Sequence, residues 1–391
     1  MEQKKRSLLE LMDVELSLLG LPSKYTSVSN FIYDDESSAA FIREMLRDED
    51  FRTPEEASDI YDFAKTRARH SAITFLMGLV FKRFAGSFFE YGRITENAMY
   101  TGGKRYNALL RSWLITSLYH DKAYYSEHLK NGKIDYRKTF KYFLLTDKYT
   151  DDRLACVANF SNRYPKVLAH TYDHILSYDS YARNYHASKI DGAEKVDHGI
   201  LGGIMVFNDL VRKSLRTTKF DGELPMIKAC CLTIAQHNIF KSGSAASDKL
   251  YPSDLSYLHH DSDFRIGKDT PLLLFLCLVD TLECVKRFSK GENEKTSLQT
   301  KTVLSSIFVT VTEEEIRIDY SQLHKKIDEK GNSDFYNNYK RYLNGVCSLN
   351  EWTSFEAIAN DVNPDVISIS LGKDAPFLIT NQEGVPVGAA M

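Results

Sequence analysis

Five apolar runs of helix-forming residues, each carrying one or two polar side chains of the same few types, constrain this chain more than any other feature. They are TRARHSAITFLMG around His70, WLITSLYHD ending at His120 and Asp121, VDHGILGGIM around His198, LTIAQHN ending at His237, and LLLFLCLVDTLE around Asp280. A helix that is apolar on nearly every face belongs inside a fold, so these segments predict a mainly α protein with a helical core. Burying an imidazole or a carboxylate there is costly unless something meets it. Each site also has a plain structural reading. A lone His is a satisfied core residue, His120-Asp121 a helix end at solvent, Asp197-His198 an N-cap and its neighbour, and Asp280 a partner for Lys286 or Arg287. Taken together, the six groups are met most simply by a shared cation, which accepts neutral imidazole nitrogens and ionised carboxylate oxygens alike.

Along the chain, Leu8, Leu9, Leu11 and Met12 begin an amphipathic helix, and Ser37–Leu46 starts another behind acidic residues, giving an N-terminal helical flank over 1–54. Thr53 and Pro54 mark the start of a core helix that runs through His70. Tyr106–Tyr119 forms the next, after a Gly102-Gly103 break. The polar, Tyr- and Lys-rich stretch 126–194 interrupts the core and reads as an insertion forming a lid or partner surface. Gly199, Gly202 and Gly203 predict close backbone approach beside His198. Asp269-Thr270-Pro271 signals the start of a helix over Pro271–Phe288 with Asp280 at its centre. Beyond a linker, GENEKTSLQT, the segments Ser305–Thr312 and Glu315–Tyr320 read as a β-hairpin, Asp334–Leu343 as a helix and Val366–Leu371 as a strand. The C-terminal region, 291–391, is therefore small and α+β, with its hairpin an edge for a homo-oligomer or protein partner.

The 50 Lys and Arg residues against 53 Asp and Glu leave a net charge of -3, so no general affinity for nucleic acid is expected. The apolar stretches are too short to span a bilayer and the N-terminus has no apolar signal core, which predicts a cytoplasmic protein without membrane contact. Six Cys residues show no CxxC spacing and read as free, buried thiols.

In order and kind, the polar residues resemble the pattern of the HD superfamily of metal-dependent phosphohydrolases: His, then His-Asp, optionally two further His, then Asp. The matching positions are His70, His120-Asp121, His198, His237 and Asp280, and the resemblance covers roughly 55–290. It implies an HD-type helical core over 55–290. It also implies two divalent ions, one held by His70, His120, Asp121 and Asp280, the second by His198 and His237, with Asp121 bridging. Mixed imidazole and carboxylate ligation suits Mn, Fe, Co, Ni or Zn better than Mg. The implied activity is hydrolysis of a small nucleotide-like phosphoester by metal-activated water. Asp121 would be central to catalysis, and Asp197 a positioning or proton-carrying group.

The sequence departs from the family where a Gly and a Lys commonly follow the pair, since Ala123 and Tyr124 stand there. Lys122, Arg69 and Lys195 are the substitutes for binding a phosphate. Absence of the longer Gly- and His-containing motif ranks a deoxynucleoside triphosphate below other substrates. The alternative expectation is an HD-fold regulatory or binding module whose metal site is structural or degenerate.

Overall fold

The structure, a computed structural model, describes residues 5–47, 67–91, 108–122, 271–288, 298–331, 333–347, 365–371 and 377–383, with scattered positions between 198 and 237. The chain divides into two compact units interleaved along the sequence. Met1–Asp48, Lys65–Arg93 and Gly267–Met391 make the first, and Glu49–Ala64 with Ile94–Ile266 the second. Among the described residues the protein is mostly helical, with a small antiparallel sheet. No helix among the described residues is long and apolar enough to cross a membrane.

The first unit begins with Arg6–Ser7 (β1) and Leu8–Leu18 (α1). Ser7 and Glu10 form a reciprocal capping box: Glu10 N–H donates to Ser7 Oγ at 3.3 Å and Ser7 N–H to Glu10 Oε2 at 2.8 Å. Helix α1 buries Leu8, Leu9, Met12 and Leu16. The second helix, Asp35–Arg47 (α2), starts two residues before the expected Ser37, at an acidic first turn that suits the positive end of the helix. Its Phe41 stacks on Phe31 at 4.1 Å and reaches Phe75 of the long helix Ala68–Tyr91 (α3). Asp35 Oδ1 also accepts the Arg69 N–H at 2.9 Å, so α2 fixes the start of α3 one residue before His70. Helix α3 is buried on nearly every face from Ala72 to Phe81, as its composition predicts. The expected start of this helix at Thr53 lies outside the described residues.

Within the second unit lies Ala108–Tyr119 (α4), which buries Trp113, Leu114, Ile115 and Leu118. The described positions from His198 to Leu210 and from Met226 to Ile234 are helical, and most are buried, including Gly202 and Gly203. The insertion 126–194 lies outside the described residues.

Back in the first unit, the single helix expected over Pro271–Phe288 is two, Pro271–Leu282 (α5) and Val285–Phe288 (α6). Glu283 makes the break: its carboxylate accepts the N–H groups of Val285 at 2.6 Å and Lys286 at 3.3 Å. A side chain that caps the next turn competes with continued backbone pairing. The expected linker ends in a short helix, Thr300–Ser305 (α7), before the predicted hairpin, Phe308–Val311 (β2) and Glu315–Asp319 (β3). Then come Ser321–Lys330 (α8), Ser333–Cys347 (α9), Val366–Leu371 (β4) and Phe377–Asn381 (β5). Gly331 ends α8 at φ 59°, a left-handed conformation that glycine adopts without a Cβ penalty.

The five strands among the described residues form one antiparallel sheet in the order β1-β2-β3-β4-β5. The cross-strand rows Val309–Ile318–Ile367 and Ile316–Ile369–Ile379 are buried, while Arg317 between them is exposed. The hairpin is thus enclosed in the sheet. Its β3 has a neighbour on each side, and β1 covers the Phe308–Val309 half of β2, so among the described strands the expected partner edge is confined to the rest of β2 and to β5. Helix α9 is tied to the end of α5 by Tyr342, whose hydroxyl donates to the Leu282 carbonyl at 3.0 Å and contacts the Tyr320 hydroxyl at 2.8 Å. That bond anchors the chain one residue before Glu283.

Candidate metal centre

In the second unit, α4 ends at Tyr119 and the chain turns, with Lys122 N–H donating to the Tyr119 carbonyl at 3.0 Å. The turn presents His120 and Asp121, which are 0% and 6% exposed. The reading of this pair as a solvated helix end is therefore excluded by burial. His198 and His237 join them and are equally buried. His198 Nε2 lies 3.0 Å from Asp121 Oδ1, and His237 Nε2 lies 4.0 Å from the same oxygen. His120 Nε2 lies 3.8 Å from the other carboxylate oxygen, Oδ2. The His237 ring stands edge-on to those of His120 and His198, with centroids 5.2 Å away in both cases.

Hydrogen bonds on the far side of two rings fix what their near side offers. His120 Nδ1 is 2.7 Å from the Ser117 carbonyl, and His237 Nδ1 is 2.7 Å from the Ile234 carbonyl. A carbonyl oxygen only accepts, so in each neutral ring Nδ1 carries the proton and Nε2 keeps its lone pair. Both lone pairs then face the Asp121 side of the cluster, where a carboxylate oxygen and an imidazole lone pair repel unless a cation or a proton stands between them.

The ligand atoms of Asp121, His198 and His237 all lie within 4.8 Å of one another. Two ligands bonded to one divalent ion at about 2.1–2.4 Å are at most about 4.2–4.8 Å apart, so the set fits a cation. Two or three imidazoles with one carboxylate is also a donor set that borderline-soft divalent ions favour.

The first unit holds its own buried cluster. His70, 6% exposed, sits in the first turn of α3, with Nδ1 2.7 Å from Glu283 Oε2 and Nε2 3.0 Å from Asp280 Oδ1. Lys286 Nζ lies 2.7 Å from the same Asp280 oxygen. The Asp280–Lys286 pairing that the sequence allowed as a plain reading is therefore formed, alongside the contact with His70. Burial and the Lys286 charge act to lower the His70 pKa, but the hydrogen bonds to Asp280 and Glu283 outweigh them and hold it above its ordinary value. For Glu283, burial alone would raise the pKa; the hydrogen bond and charge of His70, with Lys286, bring it below the usual carboxylate value. A neutral imidazole has a single N–H, so contacts to carboxylates on both ring nitrogens require either the imidazolium or a cation at Nε2.

His120, Asp121, His198 and His237 come together in the second unit, and His70 and Asp280 meet in the first. Lys122 is buried and lies 5.6 Å from the centre of the Tyr119 ring. Arg69 is half-buried, with Nη1 3.4 Å from Thr300 Oγ1. Asp197 and Lys195 lie outside the described residues. Two residues escaped the sequence reading. Glu283, fully buried, stands three residues after Asp280 in the same apolar run, a spacing that puts both on one helical face. Arg111, 6% exposed, is a cation inside the apolar run of α4 and was legible as such.

Four of the expected buried thiols, Cys230, Cys231, Cys277 and Cys284, are buried and in no disulfide, while Cys156 lies outside the described residues. Cys230 donates to the Ser112 carbonyl at 3.6 Å, and burial pushes its pKa up to about 11. No family model matches the chain, and no curated protein or solved structure is significantly similar to it.

Proposed function

We propose that this protein is a metal-dependent phosphohydrolase or phosphodiesterase acting on a nucleotide-like phosphoester. The observation that carries the reading is the orientation of His120 and His237, each held through Nδ1 by a backbone carbonyl so that Nε2 is a ligand nitrogen beside Asp121. Asp121, His198 and His237 would hold one divalent ion. The sequence pattern counts His70, His120 and Asp280 toward a second. An ion so held supplies Lewis-acid activation of water and neutralises charge developing at phosphorus. The chain's own part is to fix the ligand tautomers, to present the Asp121 carboxylate beside them, and to exclude bulk water by burial. Mn, Fe, Co, Ni and Zn suit the donor set.

The test pairs metal analysis of protein purified without chelator with a screen of nucleotides, cyclic nucleotides and dinucleotides in the presence of Mn and the other ions. Metal-dependent release of phosphate or nucleotide is the expected result. Protein that binds no metal and melts identically with and without EDTA would sink the proposal. A second reading is a binding module with a structural metal site, and the near-complete burial of all four second-unit residues favours it. It predicts metal-dependent melting with no turnover of any compound in the screen.

A further inference from the structure

A cavity of about 780 Å³ opens within the first unit and is lined by none of the six residues considered as metal ligands. Its charged lining is Arg69 from α3, Lys301 from α7, and Lys326, Glu329 and Lys330 from α8. Among the described residues, four cations and one carboxylate line it, in a chain whose net charge is -3. Such local excess of one sign in a concave site concentrates the opposite charge. Arg69 is held in place at both ends. Its backbone N–H donates to Asp35 and its guanidinium reaches the Thr300 hydroxyl, which leaves the other fork nitrogens for an anion. Lys326 is half-buried, which strengthens its pull on a bound charge relative to a fully solvated lysine.

The rest of the wall has a different character. Ile32 and Leu298 are buried apolar residues at the cavity, and Tyr33 beside them is 63% exposed, one of few large exposed apolar side chains among the described residues. The volume lies in the range of about 300–1,000 Å³ typical of sites for organic ligands and far exceeds what an inorganic ion fills. We infer that this cavity binds a nucleoside polyphosphate, with the phosphates on Arg69, Lys301, Lys326 and Lys330 and the base against Tyr33, Ile32 and Leu298. Aromatic stacking on a base is tolerant of base identity, so the inference fixes the class of ligand and leaves the base open.

The experiment titrates full-length protein with N-methylanthraniloyl-ATP, ATP and tripolyphosphate, all in EDTA, which makes the outcome independent of any metal-dependent hydrolysis. Saturable binding of ATP is expected. The double variant Lys301→Glu/Lys326→Glu should weaken ATP about tenfold or more, since two charge-assisted contacts become repulsive. Tyr33→Ala should weaken ATP about fivefold or more while leaving tripolyphosphate unchanged. Lys301 and Tyr33 are exposed and Lys326 is half-buried, and circular dichroism with thermal melting verifies that the variants fold. Wild-type protein that shows no saturable ATP binding up to about 1 mM, or a double variant with unaltered affinity, overturns the inference. Equal binding of ATP and tripolyphosphate, insensitive to Tyr33→Ala, overturns the nucleoside part of it.

Discussion

At the residue scale, Asp121 is the group on which the second-unit cluster converges, because two imidazoles address one of its oxygens and a third addresses the other. Asp121→Asn keeps the shape and removes the charge. If Asp121 ligates the proposed ion, the change should weaken metal binding more than about 100-fold, beyond the loss typical of an outer-shell change, and abolish the proposed hydrolysis with helical content retained. Equilibrium dialysis with elemental analysis measures the first, and unchanged stoichiometry would refute the assignment.

The His70–Glu283 contact gives a second prediction, in pH. His70 has a folded pKa raised above 6.5, so its contribution is fully present below 6.5 and is lost as pH rises through the folded value. Glu283 has a folded pKa lowered below 4.5, so its contribution is present above 4.5 and is lost as pH falls through the folded value. In EDTA the pair should therefore stabilise the fold most between 4.5 and 6.5. Urea denaturation across pH should show His70→Gln flattening the alkaline side of that profile. The His residues and Asp121 were legible in sequence because each is a polar group in an apolar run. The role of Glu283 is not legible there because it depends on where α5 stops, which the uniformly apolar run Leu272–Val279 does not reveal.

Among the elements, the end of α5 is the most informative. The Tyr342 hydroxyl satisfies the Leu282 carbonyl, and Glu283 then starts α6. Tyr342→Phe removes one partner from a buried carbonyl and one from the Tyr320 hydroxyl, which should cost about 1–3 kcal/mol in urea unfolding. A loss of only a few tenths would mean that the two groups find other partners. Periodicity made α1, α3, α4, α9, the hairpin and β4 visible in sequence, since each buries a regular pattern. It missed β1, two residues long, and α7, which begins at the last residue of the linker, because elements that short are held by tertiary contacts such as Leu8 N–H to the Ile307 carbonyl at 2.7 Å.

For the whole molecule, metal bound only to the folded state stabilises it by mass action. At 100 times the dissociation constant the gain is about 2.7 kcal/mol, and a chelator should remove it. Differential scanning calorimetry with and without EDTA should show a lower melting temperature in the chelated sample, reversed by adding back Mn or Zn. The mainly helical class was legible from apolar runs alone. The interleaving of the two compact units was not, because no sequence signal marks which distant segments share a core.

The buried thiols make that division measurable. Burial raises the pKa of Cys277 and Cys284 well above the ordinary thiol value, and that of Cys230 to about 11, so at neutral pH none is a competent nucleophile while the fold is closed. Cys277 and Cys284 belong to one unit and Cys230 to the other. Timed alkylation read by peptide mass spectrometry thus becomes a pair of opening clocks built into the native chain. Different rates at the two sets would mean that the units open independently, and a common rate that they open as one.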